Sequence, residues 1–250
     1  MFTVISVLLR SLVRRAGLTL HAHKALGYLR ARHDEDYEKE VERFIHLAVR
    51  QSDVVWDVGA NRGLYTKMLA TLVGKDGLVV AIEPEAKNIA HLASAVWPLA
   101  NVTLVNAALT DHDGEITLYV NDSDPTGRTH SLTTAGSAIA KSQKVPCYSG
   151  DSLIKRRVAP QPTFIKIDVE GAEERVLAGL VQTMESPALR GILVEVHFAA
   201  LEQQGDAYAP VKIEKLLRSK NFAVKWLGRS HIAATRQDRA DGICPNSECL

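Results

Sequence analysis

Apolar positions along the chain switch between two periods. In residues 34–53, "DEDYEKEVERFIHLAVRQSD", Val41, Phe44, Ile45 and Ala48 recur at i, i+3, i+4 and i+7, the stripe of a helix with one buried side. A regular alternation follows. "DVVWDVGA" (53–60) predicts a strand, Leu64 to Val73 a helix closed by Gly74, and "GLVVAIEP" (77–84) a second strand. "EAKNIAHLASAVW" (85–97) predicts a helix and "NVTLVNAAL" (101–109) a third strand. Strands that are apolar throughout, alternating with helices, predict a parallel sheet covered on both faces.

The middle of the chain departs from this rhythm. "GEITLYVN" (114–121) and "KVPCYSG" (144–150) read as short, more exposed strands flanking the polar stretch "DSDPTGRTHSLTTAGS" (122–137). The α/β alternation resumes with the strand in "PTFIKIDVEG" (162–171), the helix "AEERVLAGLVQTM" (172–184), the strand "RGILVEVHF" (190–198) and the helix "APVKIEKLLRSK" (209–220). "FAVKWLG" and "HIAATR", joined by Arg229-Ser230, predict a closing antiparallel hairpin. The expected fold class is α/β: a doubly wound, Rossmann-like sheet, mostly parallel, with an antiparallel terminal hairpin. Its domain would span 53–236, with a β/loop insertion at about 110–150, between a helical extension (1–52) and a polar tail (237–250).

A chain of 250 residues can bury one substantial core. With 46% hydrophobic and 24% charged residues it belongs with globular chains. The opening apolar run meets Arg10 after nine residues, far short of the roughly 18–20 of a membrane span, and lacks the flanks of a signal peptide. The net charge of +1 gives no reason to expect a nucleic-acid partner. Cys147, Cys244 and Cys249 are too few and scattered for a disulfide framework, which points to a reducing, cytoplasmic compartment. Up to Arg32 every charged residue is basic. Such a segment either packs as a helix on the domain's flank or lies peripherally on a membrane or a partner.

Chemistry concentrates at the ends of the expected strands. Gly59-Ala60-Asn61-Arg62-Gly63 is a strand-to-helix turn, where free N–H groups of a helix's first turn meet anionic or polar ligands. Its spacing is not G-x-G-x-x-G, and Asp57 stands just ahead of it. A carboxylate there would repel a pyrophosphate and welcome a ligand carrying ammonium and sulfonium centres, which favours S-adenosylmethionine over a nicotinamide dinucleotide. Capping the helix is the other use for Asp57. Glu83, ending the second strand, is placed to accept hydrogen bonds from a ribose, although it or Glu85 could equally cap the next helix. On the later strands Lys166 shares a face with Asp168, and Glu195 with His197. Buried charges need partners, so adjacent strands predict a Lys166–Glu195 pair, with Asp168 meeting His197 at the ligand edge.

"DVGANRGLYT", "AIEP", "FIKIDVEGAEERVLAG" and "ILVEVH", in this order, resemble the FkbM family of S-adenosylmethionine-dependent methyltransferases from about 53 to 236. The resemblance implies that Asp57, Gly59, Asn61 and Gly63 surround the methionyl part of that cofactor, that Glu83 holds its ribose and that Asn106 lies by the adenine. It also implies that Asp168 lines the active site, and that a methyl group goes to a hydroxyl oxygen, often on a sugar or secondary metabolite. Such an enzyme positions its reactants and removes a hydroxyl proton. His197 is the expected base, oriented by Asp168. Alternatively Asp168, Glu195 and His197 hold a divalent metal, a reading that the neighbouring Lys166 disfavours. Arg128, His130 and Ser131, in the polar stretch, would face a small-molecule hydroxyl acceptor. The competing classes are a non-catalytic nucleotide-binding interaction module and a nicotinamide-dependent oxidoreductase.

Overall fold

The computed structural model describes residues 38–121 and 140–237. The basic N-terminal segment, the stretch holding Arg128, His130 and Ser131, and Cys244 and Cys249 lie outside the described residues. The chain divides into two compact units, Met1–Glu42 and Arg43–Leu250, and the second carries the elements below. Residues 38–48 are helical. Phe44 and Ile45 from the predicted stripe are buried, and the Phe44 ring centroid lies 6.1 Å from that of Phe164.

Strand β1 (Val54–Val58) leads through the glycine turn into helix α1 (Leu64–Val73), followed by β2 (Leu78–Ile82), α2 (Ala86–Val96) and β3 (Val102–Val105). After an inserted small sheet, described next, come α3 (Gly150–Lys155), β7 (Phe164–Ile167), α4 (Glu173–Ala178), β8 (Gly191–Glu195), α5 (Phe198–Gln203), α6 (Ala209–Ser219), β9 (Phe222–Leu227) and β10 (His231–Arg236). The seven-stranded sheet has the order β3-β2-β1-β7-β8-β10-β9. The first five strands pair in parallel, and β10 pairs antiparallel to both β8 and β9. This is the predicted α/β architecture with its antiparallel terminal hairpin. Apolar side chains alternate to both faces: Trp56, Val80, Ile82, Ile165, Ile167 and Val194 join one core with Val176, Leu177, Ile213 and Leu217. Ala81 packs on the opposite face with Leu92 and Val96 of α2.

Two predicted elements are interrupted. The expected third strand stops at Val105; Asn106 and Ala107 intervene, and β4 (Ala108–Thr110) joins the small sheet β4-β6-β5, completed by β5 (Gly114–Asn121) and β6 (Ala140–Ser149). The helix expected over 172–184 ends at Ala178 with Gly179 as its C-cap, residues 183–185 form a 3-10 turn, and Gly179 packs directly against β4. A Cβ at residue 179 would lie 2.0 Å from the Thr110 carbonyl oxygen. Among the described residues no helix is long and apolar enough to cross a membrane.

Candidate active site

Parallel pairing brings the charged residues to one sheet edge. Asp57 lies opposite Ala81 on one side and Lys166 on the other, and Lys166 lies opposite Leu193. Glu83, Asp168 and Glu195 therefore sit at or just beyond the carboxyl ends of β2, β7 and β8, where open α/β sheets bind ligands.

The glycine turn is held by its own backbone. Gly59 and Ala60 donate N–H bonds to the Ile82 carbonyl at 2.9 and 3.1 Å. Gly59 and Gly63 have φ of +78° and +86°. A Cβ on Gly59 would lie 1.8 Å from the Asp168 carbonyl oxygen, and one on Gly63 2.6 Å from Leu92 Cδ1. Gly59 is thus required by its approach to backbone, and Gly63 by its left-handed conformation. Helix α1 begins at Gly63 with no side-chain cap, a helix N-terminus of the kind that meets polar or anionic ligands. Glu83 is 5% exposed and its carboxylate accepts N–H bonds from Asn61 and Glu85, each 2.9 Å. Burial pushes its pKa up to about 7, against the opposing pull of those two bonds. Glu85, not Glu83, caps the next helix, by accepting from the Asn88 N–H. Asn106 donates to the Glu83 and Pro84 carbonyls at 2.9 and 3.2 Å, bracing the same corner.

Lys166 does not pair with Glu195. Its ammonium lies 3.1 Å from Asp168 Oδ2, 3.5 Å from Asp57 Oδ1 and 4.6 Å from the centroid of the Tyr65 ring. Burial disfavours the charge on Lys166, yet the Asp168 and Asp57 carboxylates outweigh it and hold its pKa above the usual lysine range. The register explains the change of partner: Asp57 is directly opposite Lys166 on β1, whereas Glu195 lies two residues beyond Leu193 on β8. Asp57 is fully buried, and its Oδ2 accepts from Thr66 Oγ1 at 2.7 Å. It therefore anchors α1 and balances Lys166 from inside. Glu195 Oε2 instead lies 3.5 Å from His231 Nε2.

His197 follows β8 and meets three carboxylates. Its Nδ1 lies 2.7 Å from Glu173 Oε1; its Nε2 lies 3.3 Å from Glu170 Oε2 and 3.7 Å from Asp168 Oδ1. Asp168 does approach His197, but the wholly buried Glu173 orients the ring. Burial alone would lower the His197 pKa; the Glu173 hydrogen bond and the charges of Glu170 and Asp168 outweigh it and raise the value to about 9. His197 is consequently an imidazolium at neutral pH in this state, which weakens its expected role as a base. Burial and neighbouring acids push Glu170 up to about 7, opposed by His197. Asp168, Glu170 and His197 each offer one ligand atom within 4.8 Å of the others, a set suited to a metal ion. Glu170 takes the place that the sequence reading gave to Glu195. Glu170 and Glu173 were missed; the available signal was Gly171, whose φ of +97° turns the chain back on the strand end.

The sequence matches the methyltransferase FkbM domain over residues 57–224. The chain belongs to the FkbM methyltransferase family. This FkbM chain is 28% identical over 193 residues to the hexuronic acid methyltransferase AglP of Haloferax volcanii, covering 75% of this chain and 76% of that protein. Similar solved structures include the precorrin-6y C5,15-methyltransferase of Geobacter metallireducens (13% identity, TM-score 0.49, covering 80% of this chain and 89% of that one). Another is Aeropyrum pernix fibrillarin with natively bound S-adenosyl-L-methionine (11% identity, TM-score 0.47, 75% and 68% covered). The FkbM match takes in Asp57, the glycine turn, Glu83, Asn106, Lys166, Asp168, Glu170, Glu173, Glu195 and His197. It makes the chain a methyltransferase.

Proposed function

We propose that the chain transfers a methyl group from S-adenosylmethionine to a hydroxyl oxygen of a sugar, with a hexuronic acid as the leading acceptor class. The observation that carries this reading is the convergence, at one sheet edge, of the glycine turn, the Glu83 carboxylate and the acid-rich cluster around His197. The donor set suits the cofactor. Glu83 would accept from its ribose hydroxyls, Asn106 would border its base, and the turn from Gly59 through Asn61 to Gly63 would meet its methionyl end at the uncapped start of α1. Asp57 would act on that end through its charge, from behind the turn. When bound, the cofactor supplies an electrophilic methyl group on a sulfonium.

The protein's own work is placement and proton removal. Asp57, Asp168, Glu170, Glu173 and Glu195 surround Lys166 and His197, and this acid-rich edge suits a sulfonium-bearing ligand. Asp168, Glu170 and His197 lie just beyond the strand ends, where the acceptor hydroxyl would meet the two carboxylates. Arg128, His130 and Ser131, between β5 and β6 in the sequence, supply donors toward the acceptor. The experiment is incubation with methyl-labelled S-adenosylmethionine and a panel of uronic acids and neutral sugars, with the product analysed by mass spectrometry. A labelled methyl ether supports the reading. Cofactor binding with no transfer to any sugar, or preferential binding of a nicotinamide dinucleotide, would overturn it.

A further inference from the structure

We propose that Asp168, Glu170 and His197 bind a divalent cation of the Mn2+ and Mg2+ type, which grips the acceptor's oxygens. This inference rests on the methyltransferase reading above and adds a ligand to it. The three groups leave β7 and β8 side by side, with His197 Nε2 3.3 Å from Glu170 Oε2 and 3.7 Å from Asp168 Oδ1. Cis ligands around an octahedral ion with bonds of about 2.1 Å stand about 3 Å apart, so small side-chain adjustments would seat one. Two carboxylates and one imidazole form a hard-to-borderline ligand set, suited to such ions rather than to soft metals.

The arrangement behind these atoms supports the same use. His197 Nδ1 is tied to Glu173 Oε1 at 2.7 Å, the carboxylate–histidine contact that fixes a ligating ring's tautomer and turns Nε2 toward the site. Glu173 is wholly buried, and its Oε2 has no hydrogen-bond partner among the described residues. A buried acid in that condition adds negative potential just behind the ring. Lys166 already holds Asp168 Oδ2 at 3.1 Å, which steadies the Asp168 carboxylate. Glu170 occupies a left-handed backbone position with φ of +53°, and Gly171 follows at +97°, so the chain bends to bring Glu170 back beside Asp168. An acid-rich site also repels an acceptor that is itself a carboxylate. A divalent cation removes that conflict and gives adjacent sugar oxygens one common ligand.

The test uses the full chain, stripped with EDTA and titrated with Mn2+, with free Mn2+ followed by electron paramagnetic resonance. One saturable Mn2+ per chain is expected, with at least a tenfold weaker Kd in Glu170→Gln and in Asp168→Asn. Glu170 is about one-third exposed, so its variant removes a ligand without opening the core. S-adenosylmethionine affinity is measured by calorimetry on the same samples. Retained cofactor binding with no saturable Mn2+ site overturns the cation proposal alone, as does stoichiometric Mn2+ binding unaffected by both substitutions. Loss of cofactor binding in the unsubstituted chain would strike at the methyltransferase reading instead.

Discussion

Glu83 joins burial and charge in one side chain, at the position proposed for the cofactor's ribose. Its folded pKa of about 7 stands above the ordinary 4.5, so folding disfavours its ionised form. Its contribution to stability is therefore greatest below pH 4.5 and falls as pH rises through about 7. Ribose hydroxyls need the ionised acceptor, so S-adenosylmethionine affinity should rise over the same upper range. Glu83→Gln should flatten both profiles and weaken cofactor binding at least tenfold, since a charge-assisted hydrogen bond contributes roughly 1.5–3 kcal/mol; calorimetry from pH 6 to about 8 checks this. Lys166 is the opposite case, a buried cation shared by two acids. Lys166→Met leaves the fully buried Asp57 without its counter-charge, at a cost of about 3–5 kcal/mol by urea denaturation. Adding Asp57→Asn should recover part of the loss; strictly additive losses would show that the two side chains are not coupled.

Helix and strand positions were legible because their periods are written in apolar residues: α1, capped by Gly74, matches its predicted span. The breaks were not legible, because they arise from contacts between distant elements. Gly179 is a possible helix end, but the apolar pattern runs on past it to Met184, and only the fold shows that α4 stops there, with Gly179 packed against the Thr110 carbonyl. Gly179→Ala should lower stability by roughly 1–3 kcal/mol or more, as overpacking does, and thermal unfolding would reveal it. The partner of Lys166 was hidden for a related reason. Alternation assigns a face, but only strand order and register, with β1 beside β7, could choose Asp57 over Glu195. Asp168 and His197 were readable at strand ends. Glu170 and Glu173 depended on a left-handed turn whose consequence only the folded backbone reveals.

At the scale of the whole molecule, part of the proposed acceptor recognition is assigned to a segment apart from the proposed cofactor edge. The glycine turn and Glu83 belong to the large sheet, whereas residues 122–139 connect the paired strands β5 and β6 of the small one. Replacing 124–131, with Arg128, His130 and Ser131, by a Gly/Ser linker should leave S-adenosylmethionine affinity within about twofold and abolish methylation of the acceptor. Unchanged turnover would remove those residues from acceptor recognition. This division also limits what a sequence can say: strand-end acids announce a general chemistry, while acceptor choice lies in connections without a fixed pattern.

The approach of Gly59 to the Asp168 carbonyl has a consequence for descent. Two turns more than a hundred residues apart in sequence share a gap too narrow for a methyl group. A descendant acquiring any side chain at position 59 must also redraw the turn after β7, and no single codon change can do both. Accommodating a side chain at position 59 is therefore a two-site change, and Gly59→Ala alone should displace the turn that carries Asp168.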